Sequence, residues 1–406
     1  MLITNALLID AETEKKGALR IKDGAIEAVG DLSAQSGEET LDAQGKWLIP
    51  GVVDMDFHLC DPGHKRIETI SESTSSAILG GITTILASPD TTPPIDNETV
   101  VEYILTKAAA SNGARLLLSG EIAKGTQINN IAKLFAVGVR AIEGRSALDG
   151  NVLRRAFEYA LMAGKPLALI CENPAIDGSG VMHEGEISAR LGLPALSDFG
   201  ESSEVARVAE LARAIGAKTL IKAVSAASSL GVLRPNNKLW LQVLLPHLLL
   251  TDSDCWGFNT ACKIFPPLRS GDDQAALLEA TKGGENLVLS SGHLSQDESS
   301  RDRPFELAGA GMDTAGIFIS LAYTYLIASG KLTAHEFVRA ASLNPARLLG
   351  EPCGALAAGL RADLVLFDPN AKRVVASRDG VARNYWSGKT LDGAVAAAFV
   401  GGARVL

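Results

Sequence analysis

The sequence predicts an α/β protein: a (β/α)8 barrel over residues 50–350, flanked by a small β-sandwich domain composed of residues 1–49 and 351–406. Three observations predict it. Short apolar runs alternate with helical stretches through the middle of the chain. Both ends read as strands and turns instead. The length of 406 residues suits a barrel of roughly 250–300 residues plus a smaller domain.

Taken in order, "LITNALLID", "GALRIKDGAIEAVG" and "KWLIP" are strand-like, and Asp23-Gly24 between two alternating runs marks a hairpin. After "GVVDMDFHLC" come the strand candidates "ITTILAS", "RLLLSG", "LALIC", "TLIKAVS" and "NLVLSSG". Helical stretches lie between them: "TVVEYILTKAAAS", "DGNVLRRAFEYALMAG" and "SEVARVAELARAIG", several with an apolar stripe at helical spacing. "ADLVLFDP" and "GAVAAAFVGGARVL" return to strands. Forty glycines and 5% aromatics fit such a turn-rich fold.

The net charge of -9 argues against nucleic acid or an anionic membrane as a partner, since both select for basic surface. Five scattered cysteines without a CxxC pair suit a reducing compartment, and a cytoplasmic protein is expected. The N-terminus alternates like a strand and has no basic region before its apolar residues, so a signal peptide is not expected. "LWLQVLLPHLLL" is too short to span a bilayer and is interrupted by Gln242, Pro246 and His247.

Chemistry in such a barrel sits at the C-terminal ends of its strands. In "GVVDMDFHLC", Asp56 and His58 are two apart and share a strand face, as two metal ligands would.

Several segments together resemble dihydroorotases of the amidohydrolase superfamily. They are "PGVVDMDFHLCDPG", "ETISESTSSAILGGITTILASPDTTPPID", "GVMHEGEISARLGLP", "PPLR", "LNPARLLG" and "GLRADLVLFDP", in family order across nearly the whole chain. The resemblance implies a barrel of the metal-dependent hydrolase type and zinc-assisted opening of dihydroorotate, reversible with carbamoyl aspartate. That chemistry uses a metal-bound hydroxide and an acid or base to move a proton.

Against the family pattern, the first strand's His-x-His is Asp56-Phe57-His58, and the arginine that follows it is Cys60. A thiol cannot make the bidentate contact of that arginine with a substrate carboxylate. The Asn of the second strand end is Asp90, and the Asn beside the substrate is Phe265. Two expected ligand histidines are Ile170 and Ala223, and the essential aspartate is Gly292, followed by His293. Isoleucine, alanine and glycine offer a metal no side-chain lone pair. "GVRAIEGRS" lacks the carboxylated lysine, leaving Glu143 as the nearby acid. Asp56, His58, Ile170, Ala223 and Gly292 are therefore expected to be relict metal positions. Cys60, Asp90, Phe265 and His293 are expected to form a relict substrate pocket. No catalytic residue, metal or cofactor is expected.

The remaining candidates have plainer expectations. His183 and His247 are structural or relict, His64 and His335 lie on the surface, and Cys60 and Cys171 are buried inert thiols. Glu172 is a salt-bridge partner, and Lys222 has no assigned role.

Three functions follow. The main expectation is a chain that is not an enzyme but a pseudoenzyme of pyrimidine biosynthesis. It would be a non-catalytic structural subunit assembled with the aspartate transcarbamoylase catalytic chain, as the resemblance to the non-catalytic dihydroorotase-like subgroup implies. The alternatives are an active zinc-dependent dihydroorotase with an altered metal site, and a metabolite-sensing regulatory subunit.

Overall fold

The computed structural model describes residues 1–233 and 238–406. Eight parallel strands run in sequence order around the barrel: Val52–Phe57, Ile82–Ala87, Arg115–Glu121, Ala141–Arg145, Leu167–Ile170, Thr219–Lys222, Leu239–Leu244 and Leu287–Ser290. The eighth meets the first. The Met55 N–H donates to Ser290 Oγ at 3.3 Å, the His58 N–H donates to the His293 carbonyl at 2.9 Å, and Phe57 bridges His293 in parallel.

Strand alternation decides what fills the barrel. Val53, Met55, Leu86, Ala141, Ala168, Leu220, Trp240 and Val288 pack in one interior cluster with Leu117. Ala346, Leu348 and Leu349, from the helix Asn344–Leu349, join that cluster. Two residues further along their strands, on the same inward face, stand Ser88, Glu143, Ile170, Lys222, Gln242 and Ser290. Apolar layers thus give way to polar ones toward the C-terminal ends. The opposite strand faces, such as Ile85, Leu118, Ile142 and Leu169, pack in the outer core with the helices.

The main helices carry the end signals expected of them. Asn97, Asp149 and Ser197 cap Glu98–Ala109, Gly150–Ala163 and Asp198–Ile215, and Gly164 and Gly216 end the latter two with φ of 62° and 81°. The apolar run near residue 240 divides into the seventh strand and the short helix Leu245–Leu249, which has Pro246 in its first turn. No described helix is long and apolar enough to cross a membrane.

Both chain ends share one flanking sheet. Trp47–Pro50 pairs parallel with Leu2–Ile9 and antiparallel with Leu364–Val374, which pairs in turn with Thr390–Val400. The hairpin Glu14–Lys22/Ala25–Gly30 turns through Asp23 and Gly24, both at positive φ (49° and 80°), as the Asp-Gly signal requires. Ile3, Leu8, Leu19, Leu48, Leu364 and Phe399 form its core. Gly51 alone separates the two sheets, and a Cβ there would lie 2.1 Å from Thr83 Oγ1. The sheet docks on the barrel through Trp47, Tyr323 and Phe367, whose rings lie 5.1–5.9 Å apart.

Candidate functional site

A cavity of about 200 Å³ opens at the C-terminal ends of the strands. Asp56, His58, Asp90, Ile170, Ala223, Phe265 and Gly292 all line it, with Arg145, Leu244, Pro246 and Leu294. The fold therefore brings together all five positions expected to be relict metal sites and two of the four expected pocket residues. Cys60 and His293 do not line the cavity. Cys60 is 4% exposed and faces the Ser295 carbonyl, and His293 is wholly buried. His293 Nε2 lies 3.0 Å from Glu68, and its Nδ1 edge receives the Thr314 and Ala315 N–H groups at 3.3 Å. Both side chains are committed to the wall behind the site.

Beneath the cavity floor lies a charge cluster that gives Lys222 its role. Its ammonium is fully buried and bonds Asp56 Oδ1 at 2.7 Å, Ser88 Oγ at 2.9 Å, and Glu143 Oε1. Three donors meet three acceptors. Burial opposes its charge, but Asp56 and Glu143 outweigh burial and hold its pKa above the ordinary lysine value.

His58 stands over this cluster. Its Nδ1 lies 2.7 Å from Asp90 Oδ2, and its Nε2 lies 3.7 Å from Asp56 Oδ1. Burial lowers its pKa, yet Asp90 and Asp56 raise it further, to about 9, so His58 is an imidazolium at neutral pH. Asp90 is conversely held at about 2: burial would raise it, but His58 prevails. Its side chain is half exposed at the rim.

Two further ionisable groups end barrel strands here, neither of them singled out from sequence; Arg145 lines the cavity and Glu121 does not. Arg145 ends the fourth strand, stacks 5.0 Å over the Phe265 ring and pairs with Glu172. Glu121 ends the third strand, and burial together with Glu143 and Asp90 lifts its carboxyl to about 7. The signal for Lys222, Glu143 and Glu121 was parity. Each follows an inward apolar residue of its strand by two or four positions, and an inward charge needs a partner.

The remaining candidates occupy structural places. His183 lies near Arg269 Nη1 at 3.4 Å, and His247 is buried against the Pro266 carbonyl at 3.0 Å. His64 is exposed, whereas His335 is only partly so, because its Nδ1 bonds the Asp10 carbonyl at 2.6 Å. Burial raises the Cys171 thiol well above its ordinary pKa.

Whether these residues fit a zinc ion is a matter of donors. A zinc site needs three or more lone pairs converging on one point, with histidine neutral. Here His58 is cationic, and Ile170 and Ala223 offer nothing. Gly292 sits at φ 63° with Leu244 Cδ1 3.1 Å from where a Cβ would be, so an aspartate there would be crowded and strained. Among the described residues no three His, Cys, Asp or Glu side chains are grouped to hold a metal. The residues present do not fit the zinc site that the resemblance implies.

Comparison with known proteins gives the family. The amidohydrolase family model matches residues 47–405. A dihydroorotase of Pelotomaculum thermopropionicum is 34% identical over 422 aligned positions, covering 100% of this chain and 98% of the relative. A dihydroorotase of Thermoanaerobacter sp. (strain X514) is 33% identical, covering 92% and 89%. In structure, the L-hydantoinase of Arthrobacter aurescens superposes with a TM-score of 0.85 over 99% of this chain and 95% of its own, at 22% identity. The dihydropyrimidinase of Brevibacillus agri gives 0.86 over 100% and 94%, at 20% identity. These two speak for the fold alone.

The relatives correct one expectation, that the chain is not an enzyme. Proteins named dihydroorotase align with it over nearly the full length of both chains. The missing lone pairs at Ile170, Ala223 and Gly292 limit how a metal can be held and do not measure turnover. The cavity still presents ionised Asp90 and His58, together with Asp56 and Arg145. With a family model spanning residues 47–405 and relatives 33–34% identical over nearly their whole length, the chain belongs to the amidohydrolase family and is dihydroorotase-like in sequence.

Proposed function

We propose that the cavity acts on a cyclic amide of the dihydroorotate class, opening or closing its ring, as a dihydroorotase of pyrimidine metabolism with an altered polar site. The observation that carries this reading is the 34% identity to a dihydroorotase over 100% of this chain and 98% of the relative. Ring opening adds water across the amide, with hydroxyl to the carbonyl carbon and a proton to the ring nitrogen. In this reading protonated His58 gives that proton and takes one back from the attacking water, while Asp56 and Asp90 hold its ring. Arg145 lines the cavity as a guanidinium suited to a substrate carboxylate. The test incubates purified protein separately with dihydroorotate and carbamoyl aspartate and follows their interconversion by chromatography. Turnover lost in His58→Gln supports the reading. No interconversion above the uncatalysed rate in either direction overturns it.

A second reading concerns partners and is independent of turnover: assembly with the aspartate transcarbamoylase catalytic chain. The observation favouring it is exposed apolar bulk on the connections after the fifth, seventh and eighth strands. Ile176, Phe199, Trp256, Phe258 and Leu307 are 49–69% exposed there, as interface residues are in a free subunit. Co-expression of both chains followed by size-exclusion chromatography tests it. Co-elution is expected, and separate elution at micromolar concentration rejects it.

A further inference from the structure

The misfit between this site and a metal has a positive side. We propose that Lys222 is the resident cation of the barrel mouth: its ammonium fills a hard divalent-cation site formed by Asp56, Glu143 and Ser88, and excludes a metal from it. The inference does not depend on the substrate.

Three observations converge on the ammonium. Its acceptors are two carboxylates and a hydroxyl, an all-oxygen set of the kind that suits Mg²⁺, Mn²⁺ or Ca²⁺ better than zinc. Asp56 and Glu143 are each only 3% exposed, so two buried carboxylates share the buried Lys222 ammonium, and His58 stands 3.7 Å from Asp56 on its outer side. Glu143 Oε2 is buried without a hydrogen-bond partner, which leaves one donor atom of the cluster spare. The cluster is also within reach of solvent ions, because Asp56 lines the open cavity above it.

The strands explain why the lysine can do this. Lys222 ends the sixth strand and Glu143 stands on the fourth, on the far side of the fifth. Between them the fifth strand presents Ile170, which is neutral and leaves the pair undisturbed. Lys222 stands one inward position beyond Leu220 of the apolar layer, and its ammonium reaches Ser88 and Asp56. Truncating the arm leaves a polar void beside two carboxylates, which water or a hydrated cation fills.

The experiment titrates MnCl₂ into wild-type protein and Lys222→Ala, following the electron paramagnetic resonance signal of free Mn²⁺. Wild-type protein is expected to leave the signal unchanged, and Lys222→Ala to remove about one equivalent per chain. Asp56→Asn/Lys222→Ala is expected to lose that uptake. Stoichiometric uptake by wild-type protein that Asp56→Asn abolishes would overturn the proposal. So would absence of uptake by a folded Lys222→Ala. Should Lys222→Ala not fold, the uncharged Asp56→Asn/Glu143→Gln/Lys222→Met variant decides the matter. A folded, cooperative protein supports charge compensation as the role of Lys222, and failure of this variant too shows that shape alone was at stake and refutes it.

Discussion

Glu68→Gln tests how charge is held in the wall behind the cavity. Glu68 is 1% exposed, with Oε2 lying 3.0 Å from His293 Nε2 and 3.3 Å from Ser295 Oγ, and Oε1 accepting from Arg378 Nη1 at 2.6 Å. Burial pushes its carboxyl up, but His293 and Arg378 pull it down to about 2 from an ordinary 4.5. That depression is worth about 3 kcal/mol. Part of that pairing survives as hydrogen bonding when the carboxylate becomes an amide, so about 2–3 kcal/mol is expected. The sign follows from the depressed value. The stabilisation is complete above 4.5 and is lost as pH falls toward about 2. Urea unfolding of wild type and Glu68→Gln is the assay. The variant is expected to be less stable by about 2–3 kcal/mol at neutral pH, with the gap closing between 4.5 and about 2. A gap that stays constant through that window would refute charge as the cause and leave only packing.

Three other outcomes are expected. His58 is held up at about 9, so its pairing stabilises the fold below its ordinary 6.5 and fades as pH rises through about 9; the difference in Tm between wild type and His58→Gln should shrink over that range. All five cysteines are free and buried, with Cys60, Cys255 and Cys353 raised to about 12 chiefly by burial, so a thiol reagent should label none in the native protein and all after urea denaturation. Gly292→Asp, which restores the family residue, should lower stability by about 1–2 kcal/mol in urea unfolding, because φ is 63° and Leu244 crowds the added Cβ; an unchanged midpoint would show that the eighth strand end relaxes freely.

Much of the fold was legible from short-range pattern. The Asp23-Gly24 hairpin, the alternating runs at both ends and the apolar strands of the barrel are local signals, and each became the expected element. The fourth and seventh barrel strands were not among the strand candidates. "AIEGR" contains two charges and a glycine, and "LWLQVL" runs directly into a helix. The site was legible in part for a related reason. Asp56, His58, Asp90, Ile170, Ala223, Phe265 and Gly292 all lie at strand ends or on the connections that follow, where barrel geometry gathers side chains over one mouth. Cys60 and His293 lie equally near strand ends, but their side chains turn into the wall, where Ser295 and Glu68 receive them.

By itself the sequence determined strand parity where a strand was legible, as at Asp56 and His58; that Glu143 and Lys222 point inward was decided by the barrel. Only the tertiary structure decided which charges meet. Lys222 stands 79 residues from Glu143 and 134 from Ser88 along the chain, yet one ammonium touches both. A strand's alternation is a local steric property of its backbone, readable residue by residue. The angular positions of eight strands around a closed barrel, and the height at which a long lysine arm delivers its charge, are set by long-range hydrogen-bond register and packing, which no short stretch of sequence contains.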